Sequence, residues 1–283
     1  MEVIIFSVDG RLVKVEETWI QCGSSRLYGE VHVPDDYPAP GILICHFMDV
    51  RGYHGLKIYS MLAERACQRG FVSLVFDFRG VGKSTGEFDY GFGEQQDVRC
   101  ALNYLASRPE VKSNSIFIVG HSLGAAVSLY AVQNEKRVRG LVLWSPPKNH
   151  DYNVKKFITR TRGRLGLYKF LMLSRIDSLL NVSRLFRLEV FGINLRLKDV
   201  RRKLMKLNEC EEISKLHNLP VLIVIGGSDN IHGEDEAREV FASAHDPKTL
   251  LVLKSAGPTY EGKEDELIAE TMEWIEKWKL EPR

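Results

Sequence analysis

The amino-acid sequence predicts an α/β fold in which helices cover both faces of a mostly parallel central sheet, with a helical cap inserted late in the chain. Along most of the 283 residues, short apolar segments alternate with amphipathic ones. Continuous apolar strands are typical of a parallel sheet that is buried on both faces. The composition, 44% hydrophobic and 27% charged, is that of a globular protein with a sizeable core.

The predicted strands come first as an N-terminal group separated by Asp-Gly and Gly-Ser-Ser turns, and then singly between helices. We predict strands over 3–8, 13–22, 27–33, 41–47, 71–78, 115–119, 140–145, 220–225 and 249–253. Helical spacing predicts helices over 59–69, 94–107, 122–134, from about 234, and from about 264 to 278. In open sheets the ligand site lies at the carboxyl ends of the strands, so chemistry is expected in the residues that follow them.

The segment 148–212 breaks this alternation and is predicted to be a helical cap between two halves of the core, 1–147 and 213–283. Within it, residues 148–207 hold 16 Lys or Arg against four Asp or Glu, a net charge of +12, whereas the other 223 residues carry −10. A basic cap of this kind can contact anionic lipid, and a solvated helical surface is the simpler interpretation.

Targeting and redox signals are weak in this sequence. No run of 18 apolar residues predicts a membrane-spanning helix, and the first residues read as a strand and turn rather than a signal peptide. The five cysteines are scattered without a CxxC pair, so we expect buried free thiols and a cytoplasmic protein.

The chemistry-bearing motif is Gly120-His121-Ser122-Leu123-Gly124, which fits the G-x-S-x-G pattern. It follows the apolar strand SIFIV and precedes a run of small residues that predicts a helix. A turn this tight needs glycine on either side of the serine and raises the Ser122 hydroxyl at the strand end. The N–H of Leu123 is then available to stabilise an oxyanion.

With this motif the chain resembles the α/β-hydrolase superfamily, in its branch of small esterases, monoacylglycerol lipases and serine-aminopeptidase-like hydrolases. The stretch 76–84, FDFRGVGKS, is similar to the family loop D-x-R-G-x-G-x-S. The stretch 45–48, CHFM, stands where the family has H-G-x. The resemblance implies that Met48, or failing it Phe47, supplies the second oxyanion N–H. It further implies that Asp229, in GGSDN after a strand, is the acid of a Ser-Asp-His triad.

The histidine of that triad is missing from its usual position, because Pro258 occupies the place that the family pattern assigns to it and no histidine follows His245. A serine hydroxyl needs a base at neutral pH, and proline has no titratable group. The nominated substitute is His232, three residues past Asp229, and His54 and His150 stay open as alternatives. Asp151 is a second possible acid. His46 is expected to hold the oxyanion loop by hydrogen bonds, and the side chain of His121, beside the nucleophile, is expected to leave on the opposite side.

The sequence gives weaker support for a nucleotide, metal or nucleic-acid site. A P-loop would need glycine at position 77, where the chain has Asp77, so Asp77 and Arg79 are better interpreted as loop braces. No spacing of ligands suggests a metal, no cofactor is expected, and the cap aromatics are more typical of core than of a nucleic-acid surface.

The sequence therefore predicts a serine hydrolase that cleaves a carboxylic ester or thioester of an acyl or amphiphilic substrate through an acyl-enzyme on Ser122. Its activity is expected to be weak because the usual histidine is absent. Two alternatives remain: a catalytically impaired relative that binds a ligand or partner, and an acyltransferase that excludes water from the acyl-enzyme.

Overall fold

The computed structural model describes residues 3–8, 11–180 and 187–280, and nine strands of this part form one sheet in the order β1-β2-β3-β5-β4-β6-β7-β10-β11. The strands of this sheet are β1 (Val3–Val8), β2 (Arg11–Cys22), β3 (Ser25–Pro34), β4 (Ala39–Cys45), β5 (Val72–Phe76), β6 (Val111–His121), β7 (Val138–Trp144), β10 (Val221–Gly226) and β11 (Lys248–Leu253). From β5 to β11 every neighbouring pair is parallel, and the first three strands are antiparallel. The predicted mostly parallel sheet is confirmed.

Helices cover both faces of the sheet, as predicted. They are α1 (Ile58–Gln68), α2 (Phe92–Ser107), α3 (Leu123–Ala131), α4 (His150–Leu180), α5 (Leu197–Arg202), α6 (Glu209–Ile213), α7 (Glu234–Ser243) and α8 (Glu264–Leu280). Successive side chains of β4 enter opposite cores: Leu43 packs with residues of α2, α3 and α7, and Ile44 with residues of α1 and α8. This two-sided burial is why the strands read as unbroken apolar runs.

The segment between β7 and β10 holds α4, α5, α6 and a β-hairpin made of β8 (Arg187–Val190) and β9 (Ile193–Arg196). The prediction that this segment lacks a strand was wrong. Its two turn residues, Phe191 (φ 48°) and Gly192 (φ 79°), both have positive φ, as a tight hairpin turn requires. Phe-Gly is not a common sequence signal for that turn, and residues 181–186 lie outside the described part. The boundaries 148–212 stay a prediction.

The prediction that the cysteines are free thiols was wrong for one pair, since Cys22 on β2 and Cys100 on α2 form a disulfide. They are 78 residues apart, and packing of α2 against β2 brings their Cα atoms to 5.7 Å. Sequence spacing carries no signal of such a tertiary contact. Cys45 and Cys67 are buried free thiols, as predicted. No helix in the described part of the chain is both long and apolar enough to cross a bilayer.

The loop after β5 is organised around the buried Asp77 carboxylate, which accepts hydrogen bonds from the backbone N–H groups of Tyr53 (2.9 Å) and Lys83 (2.9 Å). Arg79 forms a short ion pair with the buried Asp97 on α2. Both residues therefore brace this loop, as predicted.

Candidate active site

Ser122 lies at a strained turn between β6 and α3, with φ 52° and ψ −111°. Its N–H donates to the carbonyl of Trp144 on the neighbouring strand, 2.9 Å away. A Cβ on Gly120 would lie 2.6 Å from the Gly124 carbonyl oxygen, and a Cβ on Gly124 would lie 2.2 Å from that of Cys45. The flanking glycines are therefore required by backbone contacts, and they let the chain turn sharply enough to expose the serine hydroxyl.

Two backbone N–H groups near Ser122 are available to a negatively charged oxygen. Leu123 is the first residue of α3, where the N–H has no intrahelical acceptor. Met48, in the loop after β4, borders the same cavity, and its N–H has no hydrogen-bond partner among the described residues. The N–H of Phe47, the predicted fallback donor, already donates to the Tyr59 hydroxyl at 3.0 Å, so Met48 is the better placed of the two.

His232 supplies the imidazole nearest to the serine. It lies in the loop between β10 and α7, and its Nε2 is 3.3 Å from Ser122 Oγ. Both groups border the same cavity. This distance is slightly long for a hydrogen bond of a general base, as is common in structures without substrate.

The other side of the His232 ring contacts the segment that was predicted as the cap. The Nδ1 atom lies 2.8 Å from Asn153 Nδ2 on α4, and the same Nδ2 lies 2.8 Å from Glu236 Oε2 on α7. Lys156, one turn further along α4, binds the other Glu236 carboxylate oxygen and the His232 carbonyl. The imidazole is therefore held between the nucleophile and a polar cluster of α4 and α7.

Burial lowers the pKa of His232 to about 4, an effect that the nearby Asp229 carboxylate opposes and the His150, His121 and Lys156 charges reinforce. The imidazole is neutral at physiological pH, as a general base must be. Burial also raises the pKa of Glu236, while the Lys156 ammonium and the Asn153 amide oppose this rise.

A cavity of about 220 Å³ opens beside Ser122. Its walls are mostly apolar side chains from the core and from the segment between β7 and β10, including Phe47, Val154, Phe157, Leu195, Val200 and Ile231. An apolar cavity with a few convergent polar groups is the usual form of a small-molecule site.

Comparison with known proteins gives one family match and several solved structures with a similar fold. Residues 44–184 match the family model described as serine aminopeptidase, S33. The fold is that of a hypothetical protein from Pseudomonas aeruginosa, with a TM-score of 0.76 at 16% identity over 94% of each chain. It is also that of the ferulic-acid-bound Est1E from Butyrivibrio proteoclasticus, with a TM-score of 0.71 at 18% identity over 93% of this chain and 100% of that one. The chain therefore has the α/β-hydrolase fold, and its residues 44–184 are similar to the serine aminopeptidase family.

Curated α/β-hydrolase relatives are distant. A monoglyceride lipase homolog of Monkeypox virus is 23% identical over 273 residues, which cover 89% of this chain and 93% of that protein. The polyketide transferase ATR5 of Stachybotrys chlorohalonatus is 24% identical over 243 residues, or 73% and 79% of the two chains. An uncharacterized protein of Rickettsia prowazekii is 38% identical, but over 87 residues only, and the match spans 36% of its length.

In this fold, Asp229 does not contact the imidazole of His232 by a hydrogen bond. One carboxylate oxygen accepts the backbone N–H groups of Ile231 (2.8 Å) and His232 (3.0 Å), and the other, Oδ2, is buried without a partner in the described residues. Asp229 therefore shapes the loop that carries His232, and its role as the acid of the triad stays a prediction without a hydrogen bond to the imidazole.

Pro258 borders the cavity, and its carbonyl oxygen accepts a hydrogen bond from His121 Nε2 at 2.9 Å. The other ring nitrogen of His121 is 2.7 Å from the Tyr59 hydroxyl. With both nitrogens engaged, His121 braces the loop that carries Pro258 and has no nitrogen left for Ser122, although its ring lies beside the cavity rather than turned away from it.

The positions of the other candidate residues decide which of them can reach Ser122 or His232. His54 is exposed and stacks on Tyr53 outside the cavity. His150 borders the cavity, but its Nδ1 faces Glu209, 2.8 Å away. Asp151 pairs with Lys155 along α4 and does not reach the imidazole cluster. His46 braces its loop as predicted, since its Nε2 accepts the Phe78 N–H.

Sequence reasoning missed Asn153, Lys156 and Glu236. These residues carry no motif, because an asparagine and a lysine three apart on a basic helix look like any solvated face. The nearest signal was the position of α4 directly after β7, where polar residues can reach the carboxyl end of the sheet.

Proposed function

We propose that this protein is a serine hydrolase that cleaves a carboxylic ester or thioester through an acyl-enzyme on Ser122. The observation that carries the proposal is the 3.3 Å approach of His232 Nε2 to Ser122 Oγ at a strained turn bordering an apolar cavity. In the proposed reaction, Ser122 Oγ attacks the acyl carbon while His232 Nε2 takes its proton. The N–H groups of Leu123 and Met48 stabilise the oxyanion, and the protonated imidazole then protonates the leaving group.

The cavity supports an acyl chain of moderate length as the group that binds beside Ser122. An engineered 150 Å³ apolar cavity holds benzene, so a cavity of this size accommodates roughly nine carbons. The walls named above are apolar, and the polar groups lie at Ser122, His232 and their neighbours. This distribution fits a hydrocarbon chain whose carbonyl lies at the serine.

The test is covalent trapping at Ser122. A fluorophosphonate probe is expected to add one adduct to the wild type at Ser122 and none to Ser122→Ala, with p-nitrophenyl ester turnover highest near octanoate. Adduct mass and peptide mapping measure the first result, and initial rates across a chain-length series measure the second.

Ser145→Ala is the matched control, since Ser145 also borders the cavity but hydrogen-bonds to the Tyr260 hydroxyl. It should keep the adduct. An unlabelled wild type, or an adduct that persists in Ser122→Ala, would contradict the proposal and favour a ligand-binding relative without catalysis.

Acyl transfer is a second candidate, favoured by relatives named polyketide transferases and by the apolar walls around the serine. Here an alcohol or amine, rather than water, would accept the acyl group from Ser122. Added alcohol acceptors would then divert the product from free acid to the new ester at concentrations far below that of water.

We also propose that the outer face of α4 contacts anionic lipid. Leu165, Tyr168 and Met172, spaced by three and four residues, lie on one helix face and are 65%, 65% and 42% exposed. The exposed cations Arg164, Lys169 and Arg175 lie on either side of this stripe. An apolar stripe flanked by cations is the pattern of a helix that lies in a lipid interface.

Sedimentation with vesicles tests this contact. The wild type is expected to bind vesicles containing phosphatidylglycerol in preference to neutral phosphatidylcholine, and the Leu165→Glu/Met172→Glu variant to bind at least tenfold less. Phe92→Glu is the control and should bind like the wild type, since Phe92 at the start of α2 is an apolar position about as exposed as Met172 (44% against 42%). Equal binding by the double variant would reject the proposal.

A further inference from the structure

The Asn153 amide lies between an imidazole nitrogen and a carboxylate, and this position determines which amide atom faces them. Glu236 Oε2 can only accept a hydrogen bond when it is ionised, and the Lys156 ammonium on the other oxygen favours the ionised form. The amide atom 2.8 Å from Oε2 is therefore the nitrogen, Nδ2, which has two hydrogens. The second hydrogen is directed to His232 Nδ1, also 2.8 Å away.

An imidazole nitrogen that accepts a hydrogen bond carries no proton, so the single proton of neutral His232 is on Nε2. That nitrogen faces Ser122 Oγ. A protonated Nε2 donates to the serine and cannot take its proton. The arrangement holds the site in the tautomer that is wrong for general-base catalysis.

We infer that Asn153 is a positioning residue that keeps His232 in the Nε2–H tautomer and so leaves Ser122 latent in the resting protein. The inference deepens the proposed hydrolase function and rests on it for its catalytic meaning. The two nearby carboxylates do not hydrogen-bond to the His232 ring. That of Asp229 binds backbone N–H groups, and that of Glu236 is separated from the imidazole by the Asn153 amide.

The base-competent tautomer is reached when the Asn153 side chain turns over and presents Oδ1 to a proton on Nδ1. Oδ1 is buried without a partner among the described residues, so it is free to accept. Turning over also breaks the hydrogen bond to Glu236 and places Oδ1 against a carboxylate. The repulsion between Oδ1 and the Glu236 carboxylate keeps the population of the base-competent tautomer small. Asn153 lies on α4, so movement of that helix relative to α7 is the event that would release the amide.

The direct test is the tautomer of His232, read from ¹⁵N chemical shifts of its ring in histidine-labelled protein at pH 7, with His232→Gln used for assignment. The expected result is protonated Nε2 and unprotonated Nδ1. A protonated Nδ1 in the wild type would overturn the inference, whatever the activity.

The catalytic test is Asn153→Asp, which replaces the donor with a carboxylate that accepts from Nδ1–H. Lys156 is close enough to offset the added charge near Glu236. This variant is expected to move the proton to Nδ1 and to raise kcat/KM by at least tenfold with KM nearly unchanged, since the reverse change in a serine protease triad costs about 10⁴-fold. Its pH midpoint should rise, because the new carboxylate adds to the effect of Asp229 on an imidazole that also faces His150, His121 and Lys156.

Asn153→Leu is the matched control, with similar volume and no hydrogen bond. It should weaken the tautomer preference and raise the rate by less than Asn153→Asp, because nothing then holds the proton on Nδ1. If Asn153→Asp still labels at Ser122 but is no faster than wild type, the inference fails and the proposed function stands. If His232 is protonated at Nε2 but neither protein labels, the proposed function fails and the tautomer assignment stands.

Discussion

The His232→Ala variant is expected to lose about 10²–10³-fold in kcat/KM toward p-nitrophenyl esters while binding them with a similar KM. The reason is that His232 Nε2 is the ring nitrogen within reach of Ser122 Oγ, and general-base transfer contributes typically 10²–10⁴-fold. The expected loss is in the lower part of this range because, in the resting protein, the proton on Nε2 already keeps His232 from acting as a base. Steady-state rates for both proteins at equal folded concentration measure it.

The same imidazole sets the acid limit of activity. Because burial lowers the pKa of His232 to about 4, the base is neutral above that value and becomes protonated, and inactive, as the pH falls through it. We expect kcat/KM to be level from pH 6 to 9 and to reach half its value near pH 4, over a range in which tryptophan fluorescence reports whether the protein stays folded.

His54→Ala is the control for this pair of measurements, since His54 is exposed and outside the cavity. It should keep both the rate and the pH profile of the wild type. A midpoint near 6.5 would show that burial does not lower the pKa of the base. A His232→Ala variant as fast as the wild type would show that another group takes the serine proton.

Gly124→Ala is expected to destabilise the folded protein by about 3 kcal/mol or more, because the new Cβ would lie 2.2 Å from the carbonyl oxygen of Cys45 and 2.5 Å from that of His46. Backbone atoms of β4 and its loop cannot move away as a flexible side chain could. The melting temperature should fall by roughly 6–12 °C. Any folded protein should label slowly with fluorophosphonate, because α3 must shift relative to Met48.

Gly257→Ala is the matched control, since no atom lies within 4 Å of the Cβ it would add. Its melting temperature should stay within about 2 °C of the wild type. Thermal unfolding followed by circular dichroism compares the two variants. An unchanged Gly124→Ala protein would mean that β4 and α3 are less closely packed than the structure shows.

Much of the architecture could be predicted because it depends on patterns that are local in sequence. The buried strands, the helices that follow them and the turn at Ser122 each occupy a short stretch whose apolar spacing or glycines carry the information. The hairpin of β8 and β9 escaped prediction because Phe191 adopts a backbone conformation that its residue type disfavours. The disulfide of Cys22 and Cys100 escaped because it joins residues that only packing brings together.

The sequence by itself determined the mostly parallel sheet covered by helices and the position of Ser122, because apolar periodicity and glycine spacing act over a few residues. Only the tertiary structure decided which imidazole faces that serine and what holds its other nitrogen. His232 is 110 residues from Ser122 along the chain and 79 from Asn153, and hydrogen bonds across such separations depend on how a loop and a helix pack at the end of the sheet. The atom that contacts this other nitrogen belongs to Asn153, which no local pattern indicates, and not to Asp229, the predicted acid.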